Sequence, residues 1–296
     1  MKQTVSTIFW RCLPKKALSR MMGRFARHPV SRHLIPSYIR FFDIDLESVR
    51  KPVHEFQNLL DFFVRELAPE ARPIAPGDRV IVSPVDGTIS QGGEIKKGIL
   101  IQAKGVFYSL DQLLSRHPSF VKKLEGGQYL TIYLSPRDYH RIHMPVQGTI
   151  RECSYIPGEL YPVNEMGVKL IPNLFTINER VVSYIQTPFG WMALVKVGAT
   201  NVGSIKVEYD KNIATNLAQK TAAVHKCYES PHTLAKGAEL GRFEFGSTVI
   251  LLFEPGSIKW TISLEPGTKL KMGQAIAEAV KEKEGGLDVS SHVDSP

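Results

Sequence analysis

The chain contains no run of 18 or more apolar residues, which excludes a membrane-spanning helix. It has three cysteines, Cys12, Cys153 and Cys227, scattered and odd in number, with no CxxC pair. That excludes a disulfide framework and points to a reducing compartment. The opening MKQTVSTIFWRCLPKK lacks the apolar stretch of a secretory signal. Acidic residues are missing from positions 1–42, which carry nine of the 37 Lys and Arg and none of the 29 Asp and Glu. The formal charge of +8 therefore belongs to this segment, and the remainder is near neutral. A basic segment of this kind suits an anionic lipid surface. Nucleic acid is disfavoured, because the body shows no basic stripe or aromatic platform.

What is present starts with helical patterning. Over Lys15–Arg27, Leu18, Met21, Met22 and Phe25 share one face, and Lys16, Arg20, Arg24 and Arg27 the other. Pro29 ends the pattern, and Leu34, Ile35, Tyr38, Ile39, Phe41 and Phe42 form a second apolar cluster. The expectation is an interfacial helix, against the alternative of a helix packed on its own body. A further helix is expected within 46–67, starting near Pro52. Pro69, Pro73 and Pro76 then mark a boundary. The segments RVIVSPVDGTIS, QYLTIYLS, RVVSYIQT, WMALVKVG and STVILLF read as short strands bounded by Gly or Pro. The expected fold class is α+β: a mainly antiparallel barrel or sandwich-hybrid core with an N-terminal amphipathic helical region. The expected units are 1–75, a basic membrane-associating region; 76–282, a β-rich catalytic domain; and 283–296, a loose tail.

Chemistry concentrates at Phe245-Gly246-Ser247-Thr248, directly before VILLF. By itself a Gly-Ser pair is an ordinary turn. It also suits a rarer reaction, in which Ser247 Oγ attacks the Gly246 carbonyl and turns the peptide bond into an ester. Elimination then releases the upstream chain, and hydrolysis leaves a pyruvoyl cap and ammonia. Serine needs a base for this, and the base usually needs an orienting partner. LSPRDYHRIHMP supplies His140 and His143, and SPVDGTI supplies Asp86. The bland readings are turn chemistry for Asp86 and structural hydrogen bonding for the histidines. Asp138, His140 and His143 also resemble a metal-ligand cluster, without a further His or Cys pair at convincing spacing. VGATNVGS is Gly-rich but is no Walker loop; its amides could hold a phosphate.

In order, SPVDGTIS, YLSPRDYHRIHMPVQG, LYPVN, VGATNVGSI and KGAELGRFEFGSTVILLF resemble the bacterial-type phosphatidylserine decarboxylases, over roughly residues 80–255. The family's cleavage motif reads Leu-Gly-Ser-Thr, and Phe245 stands here in place of the Leu. The resemblance implies cleavage at Gly246-Ser247, with a covalent pyruvoyl cofactor derived from Ser247 that forms a Schiff base with phosphatidylserine. It implies His143 as the base for cleavage, Asp86 as its orienting group and His140 as a participant in decarboxylation. It implies no metal. It further implies a β subunit of 1–246 and an α subunit of 247–296, possible homodimers, and a peripheral place on the cytoplasmic side of the cell membrane. The alternatives are a membrane-associated serine hydrolase using Ser247, His143 and Asp86 without self-cleavage, and a non-enzymatic binding module.

Overall fold

The computed structural model describes residues 15–200, 204–213, 215–216 and 222–280. The expected tail at 283–296 and the first 14 residues lie outside that range. Lys15–Arg27 is a helix, as its periodicity requires. Its inward face is a stripe of small residues, Ser19, Gly23 and Ala26, all buried. Met21, Met22 and Phe25 point to solvent, with Met21 60% exposed. This helix therefore docks through its small side chains and leaves its large apolar ones free.

A 3-10 turn over Pro29–Leu34 and a helix over Ile35–Phe42 follow. Buried Ser31 ties the segment together: its Oγ donates to the Ala26 carbonyl at 2.9 Å and accepts from the Leu59 amide at 2.9 Å. That second bond fixes the start of the next helix, Leu59–Phe63. The expected start near Pro52 is not what forms. Pro52 is extended, with ψ 152°, and Asn58 caps the helix by accepting from the Asp61 amide. An Asn seven residues into the pattern competes well as an N-cap, and it shortens the element. Phe62, fully buried, packs edge-on to Phe56 with ring centroids 5.1 Å apart.

The centre of the molecule is an eight-stranded sheet. In spatial order its strands are Val224–Leu234, Gly148–Ile156, Arg180–Thr187, Gly190–Gly198, Ser247–Phe253, Gln128–Leu134, Gly87–Glu94 and Lys269–Leu270. Every pairing between named strands is antiparallel. The sheet is open rather than closed into a barrel, its edges being Val224–Leu234 and Lys269–Leu270. Ser247–Phe253 lies fourth from one edge and is buried at every position. Its side chains divide by the period of two. Val249, Leu251 and Phe253 enter one apolar cluster, and Ile250 and Leu252 enter the other. Double-sided burial explains why VILLF is a continuous apolar run without alternation.

Two three-stranded sheets cover the first face. One is ordered Val80–Val82, Ala275–Ala279, Ile258–Trp260; the other is ordered Ser204–Val207, Glu239–Glu244, Arg141–His143. The second face is covered by the hairpin Ile99–Ala103 with Val106–Ser109 and by short helices, including Pro118–Leu124 and Glu165–Leu170. The α+β expectation holds, with stacked sheets in place of a barrel.

Truncating the central strand should be costly. Leu251→Ala is expected to lower unfolding free energy by about 2–5 kcal/mol, whereas exposed Lys259→Ala should change it by less than about 0.5 kcal/mol. Denaturant titration of the two variants checks the contrast.

Candidate active site

Ser247 opens the central strand and is clamped on both sides, paired with Leu134 on one neighbour and Gly198 on the other. Its side chain is fully buried, and its Oγ has no hydrogen-bond partner among the described residues. A buried hydroxyl without a partner costs roughly 1–3 kcal/mol, so its persistence calls for a functional reason.

The backbone strain before Ser247 sits at Phe245, not at Gly246. Phe245 has φ 79°, a left-handed conformation that a bulky residue rarely adopts. It costs about 1–2 kcal/mol. A Cβ added to Gly246 would meet nothing within 4 Å, so glycine here leaves open space beside the scissile carbonyl. The strained turn is held by its ring. Phe245 packs on Phe63 at 4.5 Å between centroids, and Phe63 also packs on the His140 ring, at 4.1 Å. One phenyl ring thus joins the turn before Ser247 to a histidine.

His140 is fully buried. Its Nδ1 lies 2.8 Å from the Asp138 carbonyl oxygen. A carbonyl only accepts, so Nδ1 carries the proton and Nε2 is left with a lone pair. That Nε2 is buried and has no partner among the described residues. Burial, with a smaller contribution from the Arg65 cation, pushes the imidazole down to about 3, so it is neutral at pH 7. Backbone bonding from the Phe243 amide to the His140 carbonyl at 3.0 Å fixes the histidine beside the strand that leads to the turn.

His143 has the same tautomer but a different environment. Its Nδ1 donates to the Gly237 carbonyl at 2.8 Å, and its Nε2 accepts from the Tyr139 hydroxyl at 3.0 Å. The Tyr139 and His143 rings stack with centroids 5.6 Å apart. In the strand ladder His143 lies opposite Glu239, well upstream of Ser247. Burial lowers its pKa as well.

Asp86 is 7% exposed, and its carboxylate is taken up by other groups. Arg72 Nε donates to Oδ1 at 2.8 Å, Arg72 Nη2 donates to Oδ2 at 2.5 Å, and the Met272 amide donates to Oδ1 at 2.8 Å. No hydrogen bond joins Asp86 to either histidine. The glycine after it serves close packing: a Cβ at Gly87 would lie 2.6 Å from the Tyr133 carbonyl oxygen. Asp138, His140 and His143 do not gather as metal ligands. The Asp138 carboxylate accepts from the Ser135 amide at 2.6 Å and the Ser135 hydroxyl at 2.7 Å. Of VGATNVGS, residues 201–203 lie outside the described range, and Thr200 Oγ1 donates to the Leu160 carbonyl at 2.7 Å.

Sequence reading did not single out Phe63, Arg65, Arg72 or Tyr139 for the site. Arg65 is 4% exposed and donates through Nη2 to the Arg137 carbonyl at 2.8 Å, while its Nε and Nη1 have no partner among the described residues. It lines a cavity of about 310 Å³ together with the cations Arg72, Arg137, Lys269 and Lys271 and the carboxylates Asp43, Asp45, Asp86 and Asp138. Most of these come from segments distant in sequence from both histidines, so only the fold could assemble them.

The histidine chemistry sets a pH dependence. The unfolded chain protonates His140 near 6.5, but the folded chain does so only near about 3. Between those values the unfolded state binds more protons, so stability falls as pH drops from 6.5 toward 3. His140→Asn should flatten part of that decline, measured as midpoint against pH; an unchanged slope would remove the assignment of a buried neutral imidazole.

The sequence profile of the family described as phosphatidylserine decarboxylase matches residues 59–278. A phosphatidylserine decarboxylase proenzyme of Brevibacillus brevis is 50% identical over 266 residues, covering 90% of this chain and 94% of the relative. Proenzymes of the same name from Anaeromyxobacter and Myxococcus xanthus are 43% and 44% identical, covering 91% and 89% of this chain and 96% and 94% of those relatives. The strained turn, its buried serine and the flanking histidine lie inside the matched region, and the chain belongs to the phosphatidylserine decarboxylase family.

Proposed function

We propose that this chain matures by cutting itself between Gly246 and Ser247 and then decarboxylates phosphatidylserine to phosphatidylethanolamine on a membrane surface. The observation that carries the reading is a pair of buried, unpartnered polar atoms, Ser247 Oγ and His140 Nε2, on two segments bridged by the Phe245–Phe63–His140 stack.

In the cleavage step, a base takes the Ser247 hydroxyl proton and Oγ attacks the Gly246 carbonyl carbon. The C–N bond breaks, an ester forms and the Ser247 nitrogen becomes an amine. Loss of the Cα proton expels the Gly246 carboxylate, and water converts the residual enamine to a ketone and ammonia. Resemblance assigned the base to His143. Its bare nitrogen is occupied by Tyr139, whereas that of His140 has no partner among the described residues, and this difference in occupancy supports His140 as the base. Tyr139 and Gly237 hold His143 as a positioning residue. Asp86, through Arg72 and the Met272 amide, braces the turn that packs beside His143: there the Pro84 carbonyl accepts from the His143 amide at 2.8 Å. Strain at Phe245 raises the ground state that this attack relieves.

A pyruvoyl group at position 247 fits this site, since among the described residues no polar group holds the Ser247 side chain and Gly246 leaves space beside it. Such a group supplies an electron-accepting carbonyl for loss of CO2 from an amino acid headgroup. The adjoining cavity presents both cations and carboxylates, Arg65, Arg72, Arg137, Lys269 and Lys271 with Asp43, Asp45, Asp86 and Asp138, which suits a zwitterionic headgroup that carries an amine and anionic groups. In the cleavage step the base passes the serine proton on to the departing Ser247 nitrogen; in each later turnover the carbon that loses CO2 must gain a proton, a step in which the resemblance places His140 as a participant. The serine hydrolase reading lacks support, because no hydrogen bond joins Ser247, His143 and Asp86.

Among the described residues no helix is long and apolar enough to cross a membrane. Lipid contact is assigned to the outward residues Met21, Met22 and Phe25, flanked by exposed Arg24, on the cytoplasmic face. The mature enzyme would contain 1–246 and 247–296, with homodimers expected.

Two outcomes follow. On denaturing gels, Ser247→Ala and His140→Ala should each remain one chain of 33.1 kDa, with conversion at least about 100-fold slower. His143→Ala should still cut; a block in His143→Ala with normal cutting in His140→Ala would reverse the assignment. For the membrane, the double variant Met21→Ser, Phe25→Ser should bind phosphatidylglycerol vesicles at least about tenfold more weakly in sedimentation. Unchanged binding would refute the interfacial face.

A further inference from the structure

Away from the cleavage turn, four metal-ligating side chains converge on one face at the edge of the large sheet. In the ladder between Gly148–Ile156 and Val224–Leu234, Glu152 lies opposite Cys227 and Ser154 lies opposite His225. Alternation puts Glu152 and Ser154 on one face of their strand, and His225 and Cys227 on one face of theirs. The fourth residue, His117, comes from the far side of the second core, where it precedes the helix Pro118–Leu124.

The ligand atoms aim at one point. His117 Nε2 lies 3.0 Å from Glu152 Oε2, and His225 Nε2 lies 2.9 Å from the same oxygen. Cys227 Sγ lies 3.6 Å from His225 Nε2. The outer nitrogens are also held: His117 Nδ1 is 3.1 Å from Ser119 Oγ, and His225 Nδ1 is 2.9 Å from Ser154 Oγ. Each imidazole is therefore oriented by a hydroxyl on its outer side with its inner nitrogen turned to a shared centre, as second-shell partners orient metal-bound histidines. The inner atoms of His117, Glu152 and His225 lie within 4.8 Å of one another. Tetrahedral zinc, with bonds of about 2.0–2.3 Å, needs ligand atoms spaced at roughly 3–4 Å. Small outward rotations from the present contacts give that spacing.

We propose that His117, Glu152, His225 and Cys227 form a zinc-class site that staples the edge strand Val224–Leu234 to the segment before Pro118. Two imidazoles, one carboxylate and one thiolate match zinc or cobalt, and they disfavour magnesium and calcium, which take oxygen ligands. Access is open: Cys227 and His225 are exposed, and a cavity of about 330 Å³ lined by His117, Ser154, Tyr155 and His225 adjoins the cluster. The site stands three strands from Ser247–Phe253, about 14 Å across the sheet, and is separate from the decarboxylase chemistry. It binds an edge strand that is otherwise paired on one side only.

The test uses the full-length protein freed of metal with chelator and titrated with cobalt(II), then zinc(II). One equivalent of cobalt should bind with a tetrahedral visible spectrum and a near-ultraviolet sulfur-to-cobalt band, both abolished by zinc. His225→Ala and His117→Ala should each weaken binding about 100-fold and cancel the rise in melting temperature that zinc gives the parent. Cys227→Ser should keep tetrahedral cobalt and lose the sulfur band. Absence of a saturable equivalent would overturn the site and leave a carboxylate–imidazole ion pair only. A spectrum unchanged in His117→Ala and His225→Ala would overturn it as well, by placing the metal elsewhere.

Discussion

The structure depends on one immobilised strand end. Ser247 is bonded into the ladder on both sides, so the residues before it must absorb the turn. The distortion falls on Phe245, whose positive φ is tolerable only because its ring is packed against Phe63. Phe63 in turn belongs to a helix whose start is set by the Asn58 cap and by Ser31. The N-terminal helices are therefore mechanical supports of the turn before Ser247 as well as candidate lipid contacts. Arg27, at the end of the first helix, also pairs with Glu244, two residues before Gly246. Engagement of that helix with a surface would act directly on the segment that leads to the reactive bond.

Burial gives the site its electrical character. His140 is kept neutral by desolvation and by the nearby Arg65, while its tautomer is fixed by the Asp138 carbonyl. A neutral imidazole with a bare inner nitrogen can take a proton from a hydroxyl that has no other partner. His143, three residues on, has nearly the same sequence surroundings, but both its nitrogens are occupied. The difference between the two histidines is thus one of hydrogen-bond occupancy.

Local sequence carried much of this, and its failures are instructive. The helix Lys15–Arg27 and the strand after Gly246 were legible because periodicity and a continuous apolar run are local signals. The helix near Pro52 was misplaced because an Asn cap outcompeted a proline start. Gly246-Ser247, His140, His143 and Asp86 stand out in the sequence as candidates for chemistry. Their pairings do not: Asp86 turns to Arg72 and the distant Met272 amide, and His143 turns to the distant Gly237 carbonyl, choices made by long-range packing. The His117, Glu152, His225 and Cys227 cluster draws on three separated segments, so no spacing rule could expose it.

The intact mass of the purified wild-type protein tests the central claim most directly. The account predicts two polypeptides, with the 247–296 fragment lighter by one ammonia than the same peptide starting with serine, and reactive toward ketone reagents. A single continuous chain with decarboxylase activity and an unmodified serine at 247 would contradict it.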